Sequence, residues 1–224
     1  MAVEHVAVIG GTGDEGFGLA ARWATAGIDV TIGSRDEGRA AEAADRLKGL
    51  VPSASVSGAT NDRAVAGSDL VVVTVPFGGQ AVIYKAIAPH VRDDAVIVDC
   101  TVPVAAAIGA KVTHTLGVWE GSAAQQGWSF LERGTMCAAF HSLGAVHLND
   151  LDHVMEGDVL VCGSKKAAKA RVKELVEAIP KLRYVDAGPL ENARIVEPIT
   201  ALLIGINMRY KVHGSGIQIT GLPD

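Results

Sequence analysis

Near the N-terminus the β-branched run Val6-Ala7-Val8-Ile9 leads through Gly10 into Gly11-Thr12-Gly13-Asp14-Glu15-Gly16, and an alanine-rich helical pattern follows over residues 16–26. No other feature narrows the choice of fold so far. A G-x-G-x-x-G between a strand and a helix allows a tight turn, close approach of backbone N–H groups to a pyrophosphate, and close packing of helix on strand. The helix N-terminus adds unpaired N–H groups and a partial positive charge for the anion. Glycine-rich turns alone are common; it is the flanking strand and helix that make Gly11, Thr12, Gly13 and Gly16 a predicted dinucleotide loop. Gly10 and Gly18 extend the run as packing glycines.

The rest of the first half repeats the same alternation. Apolar runs at residues 29–32, 70–75 and 95–99 carry little polar alternation, the mark of strands buried on both faces, and helical patterns at 38–47 and 80–88 lie between them. This predicts an α/β fold: a Rossmann-type, doubly wound, mostly parallel sheet. Beyond Pro103 the pattern loosens. A turn at Trp119-Glu120-Gly121-Ser122, a helix over 122–132 and a strand over 136–140 follow, and the sheet edge is expected at that strand. A strand at 159–162, a helix over 165–178 and a short strand at 183–186 then precede a long helix over 190–209, which Pro189 opens and Pro198 kinks. With 224 residues against ~150 per typical domain, the expected division is a dinucleotide-binding domain over 1–140 and a smaller α+β extension over 141–224.

Composition removes whole classes of function. A chain that is 49% hydrophobic and 20% charged can bury roughly 70% of its unfolded surface, so it needs no disulfide or metal to hold it together. Twenty Lys and Arg against 25 Asp and Glu, a net charge of -5 and the lack of a basic run argue against nucleic acid. Cys100, Cys137 and Cys162 form no C-x-x-C pair and read as small buried hydrophobes in a reduced compartment. Met1 to His5 carry no charged stretch ahead of a long apolar run, so no secretory leader is expected. The longest apolar run, residues 195–206, is short and broken by Glu197, Pro198 and Thr200, so no membrane span is expected and the cytoplasm is the predicted location.

Cofactor choice is written at the end of the second strand. An NAD site usually carries Asp or Glu there for the ribose 2'-hydroxyl, whereas this chain has Gly33-Ser34-Arg35, a hydroxyl and a planar guanidinium suited to the 2'-phosphate of NADP. Two readings of the arginine stand: a phosphate ligand, or a surface partner of Asp36 and Glu37. Arg39, one helical turn on, is a second phosphate candidate or a solvated residue. In sheets of this type ligands lie beyond the carboxyl ends of the strands, so Thr74-Val75-Pro76 and Cys100-Thr101-Val102-Pro103 should border the nicotinamide. The alternative for each is a strand ended by proline. His141, just past a strand, faces the cleft or serves the core; His141, His147 and His153 have spacings that fit no metal motif. There is no G-x-S-x-G elbow and no paired carboxylates, which leaves hydrolase chemistry without support. Lys165, Lys166, Lys169 and Lys173 read as one solvated helix face.

Taken together, Val8-Ile9-Gly10-Gly11-Thr12-Gly13, Gly33-Ser34-Arg35, and Asp186-Ala187-Gly188-Pro189-Leu190-Glu191-Asn192-Ala193-Arg194 followed by Val196-Glu197 and Thr200 closely resemble the F420-dependent NADP reductases. The resemblance runs nearly end to end, and the Trp119 to Ser122 segment is similar to an insertion of the bacterial branch. It implies an oxidoreductase that moves a hydride reversibly between NADP(H) and the deazaflavin coenzyme F420. By that resemblance Thr12, Ser34, Arg35 and Arg39 fall where the family binds NADP, with lysine common at the Arg39 position. His141, Leu143 and Thr200 fall where the family lines its deazaflavin pocket, and Pro198 departs from a serine found in some members. No catalytic acid or base is implied; His141, Leu143 and Thr200 position the ring. The apolar helix around Ile199 to Ile206 is expected to form a homodimer interface rather than serve as an internal core helix. The rivals are an imine or carbonyl reductase on the same fold, which would need a proton donor, and a non-catalytic NADP-binding module, which would need no second pocket.

Overall fold

The structure, a computed structural model, describes residues 3–222; Met1 and Ala2 of the leader reading lie outside the described residues. Strand β1 (His5–Ile9) feeds helix α1 (Asp14–Thr25), and the alternation continues through β2 (Asp29–Ser34), α2 (Glu37–Leu50), β3 (Val56–Thr60), α3 (Asn61–Ala66), β4 (Leu70–Val73), α4 (Phe77–Ile87) and β5 (Val96–Asp99). After α5 (Ala123–Ser129) come β6 (Thr135–Ala138), α6 (Ala145–Asn149), β7 (Gly157–Gly163), α7 (Lys166–Glu177), β8 (Leu182–Asp186), α8 (Ala193–Val196) and α9 (Ile199–Tyr210). One eight-stranded sheet runs in the order β3-β2-β1-β4-β5-β6-β7-β8. Every pairing is parallel except β6 with β7, where Cys137 faces Gly163. The doubly wound α/β sheet predicted from the apolar runs is present.

Its two faces explain those runs. Val6, Val8, Val72 and Val98 point into a core beneath α1 and α7, while Ala7, Ile9, Val71, Val73 and Ile97 point into a second core beneath α4 and α5. Every residue of β4 and β5 is therefore buried, and each large apolar side chain so removed from water contributes ~1.5–3 kcal/mol. On the first face Trp23 is fully buried, meets the Phe140 ring edge-on at 5.6 Å, and donates its indole N–H to the Leu175 carbonyl at 2.9 Å, which satisfies its one polar atom.

Several expectations are corrected. The strand around Met136 is not the sheet edge: β7 folds back antiparallel beside it and β8 pairs beyond, a non-local pairing that no periodicity announces. The true edges are β8 and β3. Strand β3, Val-Ser-Gly-Ala-Thr, has no place among the apolar runs because an edge strand paired only with β2 can stay polar. Strand β4 ends at Val73 rather than Val75. The long helix expected over 190–209 is broken. A 3₁₀ turn at Leu190–Asn192 leads into α8, and Pro198 starts α9 instead of kinking one rod, since proline fits a first turn and not an interior. Among the four lysines, Lys165, Lys166 and Lys173 are exposed as read, but Lys169 is buried against the sheet and pairs with Asp186 at the end of β8. All three cysteines are free and buried.

Candidate functional site

The chain leaves the sheet centre in both directions, β1 to β3 one way and β4 onward the other, so the carboxyl ends of β1 and β4 open a crevice at the switch point. Gly10 enters it with φ +80, a backbone that side chains rarely adopt, and its N–H donates to the Gly33 carbonyl at 3.2 Å. Gly16 is forced by packing. A Cβ there would lie 2.3 Å from Thr74 Oγ1 and 2.9 Å from Gly11 Cα. Gly13 differs, because it caps α1 at φ -86 and a Cβ would meet nothing closer than the Gly10 carbonyl oxygen at 3.4 Å. The space over Gly13 is the mouth of the crevice.

Two clefts open from this point. The first, about 550 Å³, runs over the loop toward β2 and is lined by Thr12, Gly13, Ser34, Arg35, Arg39 and Asn61, with Thr74, Val75 and Pro76 on its far wall. Gly11 and Gly16 are not among the residues lining either cleft and are closely packed against Val8, Ile32 and Thr74. Asp36 caps α2 by accepting the Arg39 N–H at 2.8 Å, and Glu37 is paired with Arg63 at 2.9 Å. Both acids are thus engaged elsewhere, and among the described residues no carboxylate pairs with Arg35 or Arg39, which sets aside the surface-partner reading. Asn61, a residue passed over in the sequence, adds a buried Oδ1 without a partner to this cleft.

The second cleft, about 520 Å³, shares Gly13, Thr74, Val75 and Pro76 with the first and continues over the ends of β4 and β5 to His141, Leu143 and Thr200. The Thr101 hydroxyl donates to the Val75 carbonyl at 3.2 Å and ties the two strand-end loops together. Phe140 turns the chain at φ 68, uncommon for an aromatic residue, and delivers His141 to the wall. His141 is buried with neither ring nitrogen hydrogen-bonded, and burial pushes its pKa down to about 4, so the imidazole is neutral at pH 7. Its backbone carbonyl accepts the Thr200 hydroxyl at 2.7 Å. His147 and His153 stack on one another at 3.9 Å and reach neither cleft.

Behind the second cleft lies a buried polar network that no spacing in the sequence reveals. Asp99 accepts the Tyr84 hydroxyl at 2.6 Å, the Gln80 amide at 2.9 Å and the Thr101 N–H at 2.7 Å, yet burial still raises its pKa to about 6. Glu197 accepts the N–H groups of Ala123 and Ala124 at 2.8 and 3.0 Å, and burial raises it to about 8. Its position just ahead of α9 links the start of α5 to the segment that carries Thr200. Glu15, in the first turn of α1 within the glycine motif, lines the second cleft near Asp99. The position of Asp99 at a strand's carboxyl end and of Glu15 within the glycine motif were the available signals.

Comparison with known proteins gives a consistent picture. Residues 5–103 match the family model described as NADP oxidoreductase, coenzyme F420-dependent. An F420-dependent NADP reductase of Methanothermobacter thermautotrophicus is 44% identical over 226 residues, covering 99% of this chain and 97% of the relative. Its counterpart in Methanocaldococcus jannaschii is 38% identical over 221 residues, covering 97% and 98%. Among solved structures, an Arthrobacter sp. FB24 protein provisionally assigned as an F420-dependent NADP reductase superposes with TM-score 0.81 at 22% identity, covering 97% of this chain and 99% of that one, which speaks to the shared fold.

Proposed function

This chain belongs to the F420-dependent NADP reductases, and from that membership we infer that it transfers a hydride reversibly between NADP(H) and coenzyme F420, one coenzyme in each cleft. The observation that carries the reading is the shared wall: both clefts are bounded by Gly13, Thr74, Val75 and Pro76, so rings seated in each meet across one short ridge. A binding module would need the first cleft only.

In this reading the loop from Gly11 to Gly16 and the start of α1 hold the pyrophosphate, with Thr12 beside it. Ser34, Arg35 and Arg39 hold the 2'-phosphate; the support is that both guanidinium groups face the cleft free of carboxylate partners. His141, Leu143 and Thr200 hold the deazaflavin. The orphaned, neutral imidazole of His141 suits a ring edge that supplies hydrogen-bonding groups, and the Thr200 hydroxyl fixes the loop that carries it. The coenzymes supply the hydride chemistry. The protein's contribution is alignment of donor and acceptor carbons, a preorganisation that supplies roughly 7 to 11 kcal/mol.

Residues 141–224 then complete the deazaflavin cleft and supply the interface of a homodimer. Leu202, Met208 and Tyr210 of α9, with Ile195 nearby, stand 60 to 75% exposed, an apolar surface that a second copy would cover. No helix among the described residues is long and apolar enough to cross a membrane. Mixing the protein with NADPH and purified F420 and following the absorbance of oxidised deazaflavin tests the assignment. Loss of that absorbance supports it, NADPH binding without turnover points to a binding module, and NADPH oxidation only with an imine or carbonyl substrate points to the other rival.

A further inference from the structure

Asn61 lines the first cleft, and the coenzyme assignment above gives it no role. It opens α3 directly after the edge strand β3, whose Thr60 lies opposite Ser34 of β2, so the register sets Asn61 beside the turn that carries Arg35. Only 8% of its surface is open, and its Oδ1 is buried without a hydrogen-bond partner. Room for the carboxamide comes from Gly33, where a Cβ would lie 3.0 Å from Asn61 Oδ1 and 2.7 Å from Ile9 Cδ1. The glycine ahead of Ser34-Arg35 therefore seats Asn61 at the end of β2. A buried carbonyl oxygen left unpaired is unfavourable in the free protein, and a bound donor removes that cost.

The neighbours of Asn61 in the cleft point to the group it meets. With the pyrophosphate on the glycine loop and the 2'-phosphate at Ser34, Arg35 and Arg39, what remains on the α4 side is Gly78, Gly79, Val82 and Ile83. That wall is open and apolar. A Cβ on Gly79 would meet nothing within 4 Å, one on Gly78 nothing closer than 3.7 Å, and Val82 stands 67% exposed above the buried Ile83. An apolar wall with one carboxamide at its edge suits a purine, whose faces are apolar and whose edge carries hydrogen-bond donors and acceptors in a fixed order.

We propose that Asn61 reads the adenine of NADP, its carboxamide oxygen accepting from the exocyclic amine while its N–H donates to the neighbouring ring nitrogen. The proposal rests on the two-cleft reading above. This is the bidentate pairing that asparagine makes with adenine in other settings, and the soft χ2 torsion of the side chain lets the carboxamide turn to present its oxygen to the base. Hypoxanthine carries an oxygen in place of the amine. It offers the same carboxamide two acceptors, so one bond is lost and two oxygens face each other. Arg35 and Asn61 then divide the recognition: the guanidinium selects the 2'-phosphate and the carboxamide selects the base.

Binding titrations of wild type and Asn61→Ala with NADPH and with its hypoxanthine analogue, deamino-NADPH, test this. Wild type should bind NADPH about 5- to 100-fold more tightly than deamino-NADPH, the discrimination of one good bidentate pair. Asn61→Ala should weaken NADPH by a similar factor, change deamino-NADPH by less than about threefold, and so bring the two affinities together. Its preference for NADPH over NADH should match that of wild type, a readout that a general loss of the cleft's shape would move and that Arg35→Ala lowers. The wild-type comparison needs no variant: equal affinities for NADPH and deamino-NADPH overturn the proposal. So does an Asn61→Ala protein that keeps the wild-type ratio, whether it loses both ligands equally or neither, since the carboxamide would then serve the ribose or the scaffold. In each of these cases an enzyme that still reduces F420 leaves the family assignment standing. A wild-type protein that binds neither nucleotide overturns the two-cleft reading and this role together.

Discussion

The hydroxyl of Thr200 donates to the backbone carbonyl of His141 at 2.7 Å, joining the first turn of α9 to the loop after β6 across 59 residues of sequence. Because the His141 ring makes no hydrogen bond of its own, this contact and the packing of Phe140 are what fix its place. Thr200→Val should therefore act like a mild form of His141→Ala. Both should slow hydride transfer by a modest factor, well short of a thousandfold, and leave the shape of the pH profile intact, as lost alignment rather than lost proton transfer predicts. Leu143→Ala belongs to the same group. Single-turnover rates across pH check this, and a His141→Ala loss beyond about a thousandfold would promote the imine or carbonyl reductase alternative.

Arg35 should decide between the two nicotinamide cofactors. A hydrogen bond to a charged partner contributes ~1.5–3 kcal/mol, so Arg35→Ala should weaken NADPH by about 10- to 100-fold and leave NADH almost unchanged. Binding titrations with both cofactors measure the ratio. Equal losses would make the arginine structural.

The two loop glycines should fail in different ways. Gly13 has room for a methyl group in the free protein, so Gly13→Ala should fold normally but lose affinity for NADPH and NADH alike, because the methyl occupies the pyrophosphate's approach. At Gly16 the same change drives a Cβ into Thr74 Oγ1 and the Gly11 backbone and should lower thermal stability, with overpacking that typically costs about 1–3 kcal/mol. Melting curves with and without NADPH separate the cases. A Gly13→Ala protein with unaltered cofactor affinity would contradict the loop assignment.

Buried acids set the pH dependence of stability. Glu197 has a folded pKa raised to about 8, so the folded state binds its proton more tightly than the unfolded state does. Its contribution is fully present below the ordinary glutamate range and is lost as pH rises through about 8. Asp99 acts in the same sense but only up to about pH 6. His141 opposes both: lowered to about 4, it costs stability as pH falls below the ordinary histidine value. Between about pH 6.5 and 8 the raised carboxyls act without opposition from His141 and below the range of the buried cysteines, so the melting temperature should fall as pH rises across that window. Glu197→Gln should make the slope shallower, and an unchanged slope would show that Glu197 is ionised throughout, held so by the Ala123 and Ala124 N–H groups.

What was legible in the sequence was whatever depends on neighbours along the chain. The run from Val6 to Gly16 forms its strand, turn and helix from local steric and burial preferences, and Ser34-Arg35 follows a strand whose apolar pattern already marks its end. Tertiary structure decided what depends on distant partners. Strand β7 turns back against β6 only because its apolar face finds a core there, and α9 stands apart from α8 where Pro198 opens it and the carboxylate of the buried Glu197 is held by the start of α5. The carboxyls of Asp99 and Glu197 are ordinary acids as letters in a chain. Burial by segments far apart in sequence is what removes their water, and the cost of charging a group without water cannot be read from its neighbours in the chain.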